Sequence, residues 1–152
     1  MFSNKIRIIS QNLRELDGTK NASYYIKKSV LSKSGEYVGK VYDIVLKRDL
    51  FVGLLVSGKK KLYIGKEFIS SDSKEQVILN IEPVTNMIGK EVYDSKGERI
   101  GYVKDLIRKS NSNTYSDIVV KKSFFRRAFP ISKADVSVAK KSIILKNSYE
   151  KQ

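Results

Sequence analysis

The sequence predicts an all-β protein made of two small barrels in tandem, preceded by a short amphipathic helix. Two observations carry that reading. The first is an internal repeat: Gly35 and Gly97, Gly39 and Gly101, and Asp43 and Asp105 are each 62 positions apart, with no gap between them. The second is the pattern inside each copy, where short runs of Val, Ile and Tyr alternate with Gly, Ser, Asn and Asp corners. Five to six short strands in about 60 residues favour closure into a small barrel, which removes exposed sheet edges. Domains of that size lie near the lower limit for a self-sufficient core.

Residues 1–23 stand outside the repeat. Ile6, Ile9, Leu13 and Leu16 recur at helical spacing, with Lys5, Arg7 and Arg14 around them and Gly18 as a stop. This predicts a helix over residues 4–17. It is too short to be stable alone and must pack on a barrel, a partner or a membrane surface; a short strand through Ile6–Ile9 is the other reading.

The first repeat, residues 24–82, opens with a hairpin whose corner is Ser32-Lys33-Ser34-Gly35. The second, residues 86–146, opens with Asp94-Ser95-Lys96-Gly97 at the same place, and Gly97 suits a turn position with positive φ. Strands are then expected at Gly53–Val56 and Asp117–Val120, at Leu62–Ile64 and Phe129–Ile131, and at Val77–Leu79 and Ile143–Leu145. A polar link containing Lys66-Glu67, or Ser132-Lys133, precedes each last strand. Pro83 marks the join, and residues 147–152 form a tail.

The order Gly89-Lys90-x-Val92-Tyr93-Asp94, Gly97, Ile100-Gly101-x-Val103-x-Asp105, then Ile118-Val119-Val120, Phe129-Pro130-Ile131 and Ile143-Ile144-Leu145 resembles the PRC-barrel family. The second repeat resembles it over nearly all of residues 87–146. The first departs from it, with Ser32 where the family has Asp and Tyr63-Ile64 in place of Pro-Ile. The resemblance implies PRC-type barrels, a family without shared catalytic residues, and hence a docking module. Members include the cytoplasmic part of the photosynthetic reaction centre H subunit, the ribosome maturation factor RimM, and stand-alone archaeal proteins, several of them cell-division adaptors. The resemblance therefore implies a non-enzymatic protein-interaction adaptor, with archaeal cell-division assembly as one setting. The alternative is an RNA- or ribosome-associated factor. RimM, however, joins one such barrel to a different N-terminal domain.

Composition narrows the chemistry. The chain has no cysteine and no histidine, which excludes disulfides, thiol chemistry, zinc sites and His-based acid–base mechanisms. No cofactor, metal or small-molecule substrate is expected. Apolar runs are too short to span a bilayer, and a cytoplasmic location, at most peripheral to a membrane, is expected. Gly53–Lys60 has phosphate-loop spacing, but Lys60 stands where a Ser or Thr would hold Mg²⁺, and Leu54-Leu55-Val56 reads as a buried strand. Asp43 and Asp105 are expected to fix local bulges through backbone N–H groups. Glu91, Asp94 and Glu98 are expected to be solvated.

The net charge is +14, and residues 84–146 hold 14 basic against 6 acidic side chains. Such a surface suits an acidic partner, whether nucleic acid, an anionic membrane or an acidic protein; the plainer reading is a solubilising surface. The candidate site is therefore the pair of basic hairpins: Lys59, Lys60 and Lys61 in the first repeat, and Lys121, Lys122, Phe124, Phe125, Arg126 and Arg127 in the second. Adjacent phenylalanines on an extended strand point to opposite faces, so at least one is expected to be exposed. Basic residues interleaved with aromatics suit a protein partner, stacking on RNA bases, or an anionic membrane surface. A plainer reading is a lysine-protected sheet edge with both rings buried between the barrels.

Overall fold

The computed structural model describes residues 18–149, so the helix expected over residues 4–17 lies outside the described residues. The described residues fold into two six-stranded sheets with the same topology. The first comprises β1 (Ser29–Leu31), β2 (Tyr37–Lys47), β3 (Leu50–Gly58), β4 (Lys61–Gly65), β5 (Ile69–Asp72) and β6 (Gln76–Leu79). The second comprises β7 (Glu91–Tyr93), β8 (Arg99–Ile107), β9 (Asp117–Lys121), β10 (Phe129–Ser132), β11 (Val136–Ala139) and β12 (Ile143–Leu145). Their orders are β4-β3-β2-β1-β6-β5 and β10-β9-β8-β7-β12-β11. In each, the last strand returns to lie parallel to the first, which curls a meander towards a barrel.

The two copies share the same local devices. Gly35 and Gly97 hold φ of 88° and 81° at the first hairpin turn, a region an L side chain enters only with strain. Gly39 and Gly101 face the next strand so closely that a Cβ would lie 2.5 Å from the Ser57 carbonyl oxygen and 2.4 Å from that of Lys121. The ladder slips between Val41 and Asp43, and again between Val103 and Asp105. At each bulge the aspartate closes on the next residue: Ile44 N–H donates to Asp43 Oδ1 at 2.8 Å, and Leu106 N–H to Asp105 Oδ1 at 2.9 Å. That matches the role expected for these two acids.

Alternation along the strands builds two separate cores. Val30, Val41, Leu54, Val56, Val77 and Leu79 fill the first, and Val92, Val103, Ile118, Val120, Ile143 and Leu145 the second. Leu54 and Val56 are buried strand residues, so Gly53–Gly58 lies in β3 rather than forming a phosphate-binding loop. The polar links hold more than expected: each contains a single 3-10 turn, Lys66–Phe68 or Lys133–Asp135, followed by a further strand, β5 or β11.

Asp94 corrects an expectation. It is not solvated but only 2% exposed. Its Oδ1 accepts from the Lys96 and Glu98 N–H groups at 2.9 Å each, and Oδ2 from that of Tyr149 at 3.3 Å. Burial pushes its carboxyl up, and the N–H bonds from Glu98, Tyr149 and Lys96 outweigh this, leaving it below the ordinary carboxylate value. The carboxylate thus satisfies two N–H groups of its own five-residue turn, Asp94–Glu98, as turn aspartates do. In the first barrel Ser32 occupies the position and accepts from Glu36 N–H at 3.1 Å. The missing carboxylate arrives from the link: Glu82 Oε1 accepts from Ser34 N–H.

Candidate functional site

The two basic hairpins occupy equivalent places, between β3 and β4 and between β9 and β10, but face different surroundings. The first turn is two residues long, Lys59-Lys60, and both turn towards the second barrel. Lys59 Nζ donates to the Asn86 carbonyl at 3.2 Å and to that of Ile88. Burial pushes its ammonium below the ordinary lysine value; nearby Lys90 adds to this and Glu36 opposes it. Lys60 Nζ meets Asp105 Oδ2 at 3.3 Å. Asp105 is itself held below the ordinary carboxylate value, by the Leu106 N–H first and then by Lys60, against burial. Lys61 lies 5.8 Å from the Tyr42 ring centre.

Further contacts fix the same junction. Lys90 Nζ reaches Glu36 Oε1 at 2.9 Å. Asn113, in the loop between β8 and β9, grips the link on both sides of Pro83: its Nδ2 donates to the Glu82 carbonyl and its Oδ1 accepts from Val84 N–H, each at 2.8 Å. Sequence reasoning missed Asn113, Lys90 and Glu82. The only trace of Asn113 is a polar stretch, residues 108–116, where the first repeat has the tight turn Arg48-Asp49.

The second basic turn is seven residues long, Lys122–Ala128. Phe124 and Phe125 sit at its tip, 81% and 94% exposed, so neither ring is buried between barrels. The rings meet edge to face, with centres 5.4 Å apart and planes at 86°. Lys121 Nζ lies 5.4 Å from the Phe124 ring centre. Arg126 and Arg127 pair with no carboxylate among the described residues.

Beside the tip opens a cleft of about 400 Å³ lined by Arg99, Lys122, Arg126, Arg127, Phe129 and Tyr149, with Glu98 the one acid. Phe129 and Tyr149 stack there, centres 5.3 Å apart at 18°. Arg99 is partly engaged, with Nε on Glu91 Oε2 at 2.5 Å and Nη1 donating to the Lys122 carbonyl at 3.3 Å. The structure thus gathers Lys121, Lys122, Phe124, Phe125, Arg126 and Arg127 into one apolar tip with a cationic base. Lys59 and Lys60 belong to the junction.

Among the described residues no group of three or more carboxylates could hold a metal ion, and no helix is long and apolar enough to cross a membrane. No curated protein matches the chain. The motif shared by the hairpins, the bulge and the closing strand does match a family model: that of the PRC-barrel domain covers residues 79–152, the second barrel and the link into it, and marks this part of the chain as a small binding or adaptor domain.

Proposed function

We propose that this chain is a non-enzymatic adaptor that docks an acidic partner protein through the Phe124–Phe125 tip. The observation that carries the reading is the exposure of two adjacent aromatic rings on a turn collared by Lys121, Lys122, Arg126 and Arg127. Exposed apolar side chains at one projecting point mark interaction sites. A Phe anchor entering a pocket supplies most of an interface's affinity, while rim charges set approach and specificity. Among the roles found in PRC-barrel proteins, archaeal cell-division assembly is the setting we assign. A second reading, an RNA- or ribosome-associated factor, draws on the cationic cleft at Arg99, Lys122, Arg126 and Arg127.

A photoreactive phenylalanine analogue at position 124 or 125, irradiated in cell extract with and without nuclease, separates the readings. The adaptor reading expects a discrete protein adduct that nuclease leaves intact and that added salt weakens only modestly. Adducts lost on nuclease treatment would overturn it. So would tight RNA binding whose salt slope falls by about 2 in Arg126→Ala/Arg127→Ala, since each neutralised phosphate releases roughly 0.7–0.9 counterion. Capture by anionic vesicles with no protein adduct would overturn it as well.

A further inference from the structure

The outermost strands of the two sheets differ at one rung. Tyr63 of β4 stands opposite Leu55, where Pro130 of β10 stands opposite Val119. Their neighbours Ile64 and Ile131 are both buried, which confirms the equivalence. Proline has no N–H and fits a ladder only where its nitrogen points away from the adjoining strand. The Tyr63 N–H therefore points away from β3. The bond from Gly58 N–H to the Lys60 carbonyl sets the same alternation independently. Lys60, Leu62 and Ile64 face β3, while Lys61 and Tyr63 turn their N–H and C=O groups outward and Gly65 its N–H, the Gly65 carbonyl opening the 3-10 turn that follows.

β4 ends its sheet, so among the described residues this row has no strand beside it. The Tyr63 ring is held clear of the edge: it crosses Gly53, where a Cβ would meet it at 2.7 Å, and its hydroxyl donates to the Val52 carbonyl at 3.0 Å. Alongside β4 runs an open groove of about 550 Å³, walled by Val84, Arg108 and Asn113 of the link and the second barrel. Its charged lining residues are Lys61 and Arg108 against Glu67.

We propose that the β4 edge is a second docking site, which takes an extended, acid-bearing segment of a partner protein as an added strand. Only an extended backbone presents donors and acceptors at the two-residue spacing of Lys61, Tyr63 and Gly65. Lys61 and Arg108 select acidic side chains along the groove away from Gly65, over which the Glu67 carboxylate stands, and the second barrel is closed to this mode because Pro130 removes the central donor. The site does not depend on the Phe124–Phe125 tip.

The test uses the repeat itself. Tyr63→Pro copies the second barrel and is expected to fold, whereas Tyr63→Val loses the ring but keeps the N–H. A random decapeptide display library is selected against the full chain. The expected outcome is enrichment of acidic peptides of alternating polarity. They should bind wild type and Tyr63→Val alike, bind Tyr63→Pro about tenfold or more weakly, and slow amide exchange at Lys61, Tyr63 and Gly65. Four outcomes would overturn the proposal: no enriched binders, binders that Tyr63→Pro retains, protection confined to the Phe124–Phe125 turn, or a self-associated dimer that Tyr63→Pro dissociates. The third would leave the tip reading standing. Should Tyr63→Pro fail to fold, peptides that bind wild type without slowing exchange at Tyr63 overturn the proposal instead.

Discussion

Asp94 and Ser32 show how much one position decides. The Asp94 carboxylate is held below its ordinary value of 3.8 by the N–H groups around it. A depressed carboxyl contributes stability in full above its unfolded pKa and loses it as pH falls through the lower folded pKa. Asp94→Asn should therefore be less stable than wild type at neutral pH, and the gap should close as pH falls below 3.8, which urea unfolding from pH 7 to pH 2 can follow. In the first barrel the acceptor is Glu82, also held low, against burial, by Ser32, Ser34 and Lys90. Ser32→Asp alone would set two carboxylates on one turn and should destabilise the chain. Ser32→Asp with Glu82→Gln recreates the second barrel's arrangement and should recover most of the loss, a coupling that a double-mutant cycle measures. The substitution at Ser32 was legible in the sequence. Its compensation was not, because Glu82 reaches the turn through space across 48 residues.

At the scale of elements, strands and turns were read correctly where period-two burial and glycine geometry dictate them, from Ile100–Val103 to Ile143–Leu145. The basic character of both hairpins was legible too. The inward turn of Lys59 was not, because it depends on the Asn86 and Ile88 carbonyls left free where the 3-10 turn Val84–Met87 ends. The extra strands β5 and β11 were hidden because each is four residues long and buries none of them fully, so neither shows a period-two pattern. Turn and strand should respond oppositely to truncation. Phe124→Ala/Phe125→Ala should leave stability within about 0.5 kcal/mol of wild type and abolish docking at the tip. Ile118→Ala, in the fully buried centre of β9, should cost about 2–5 kcal/mol while leaving the tip chemistry in place. Thermal unfolding and binding measured together check both.

For the whole molecule, the two cores share no residue, and the barrels are joined by Lys59, the Lys60–Asp105 and Lys90–Glu36 pairs, and the Asn113 grip on the link. The Lys60–Asp105 pair is exposed and adds at most about 1 kcal/mol, whereas Lys90 and the Lys59–Asn86 bond are both partly buried at the junction. Lys59→Met should cost about 1–3 kcal/mol and split one unfolding transition into two, visible by calorimetry. The junction is also asymmetric, because a turn of one barrel meets the chain entering the other. A turn at one end of the first barrel grips the entry of the second, a head-to-tail contact in which the two barrels use unlike surfaces. In the second barrel Ser123 holds the place of Lys59, and the turn is lengthened from two residues to seven. The aromatic tip thus stands where the first barrel carries its gripping lysine, and in that place it presents two exposed rings instead of a bond to a neighbouring barrel.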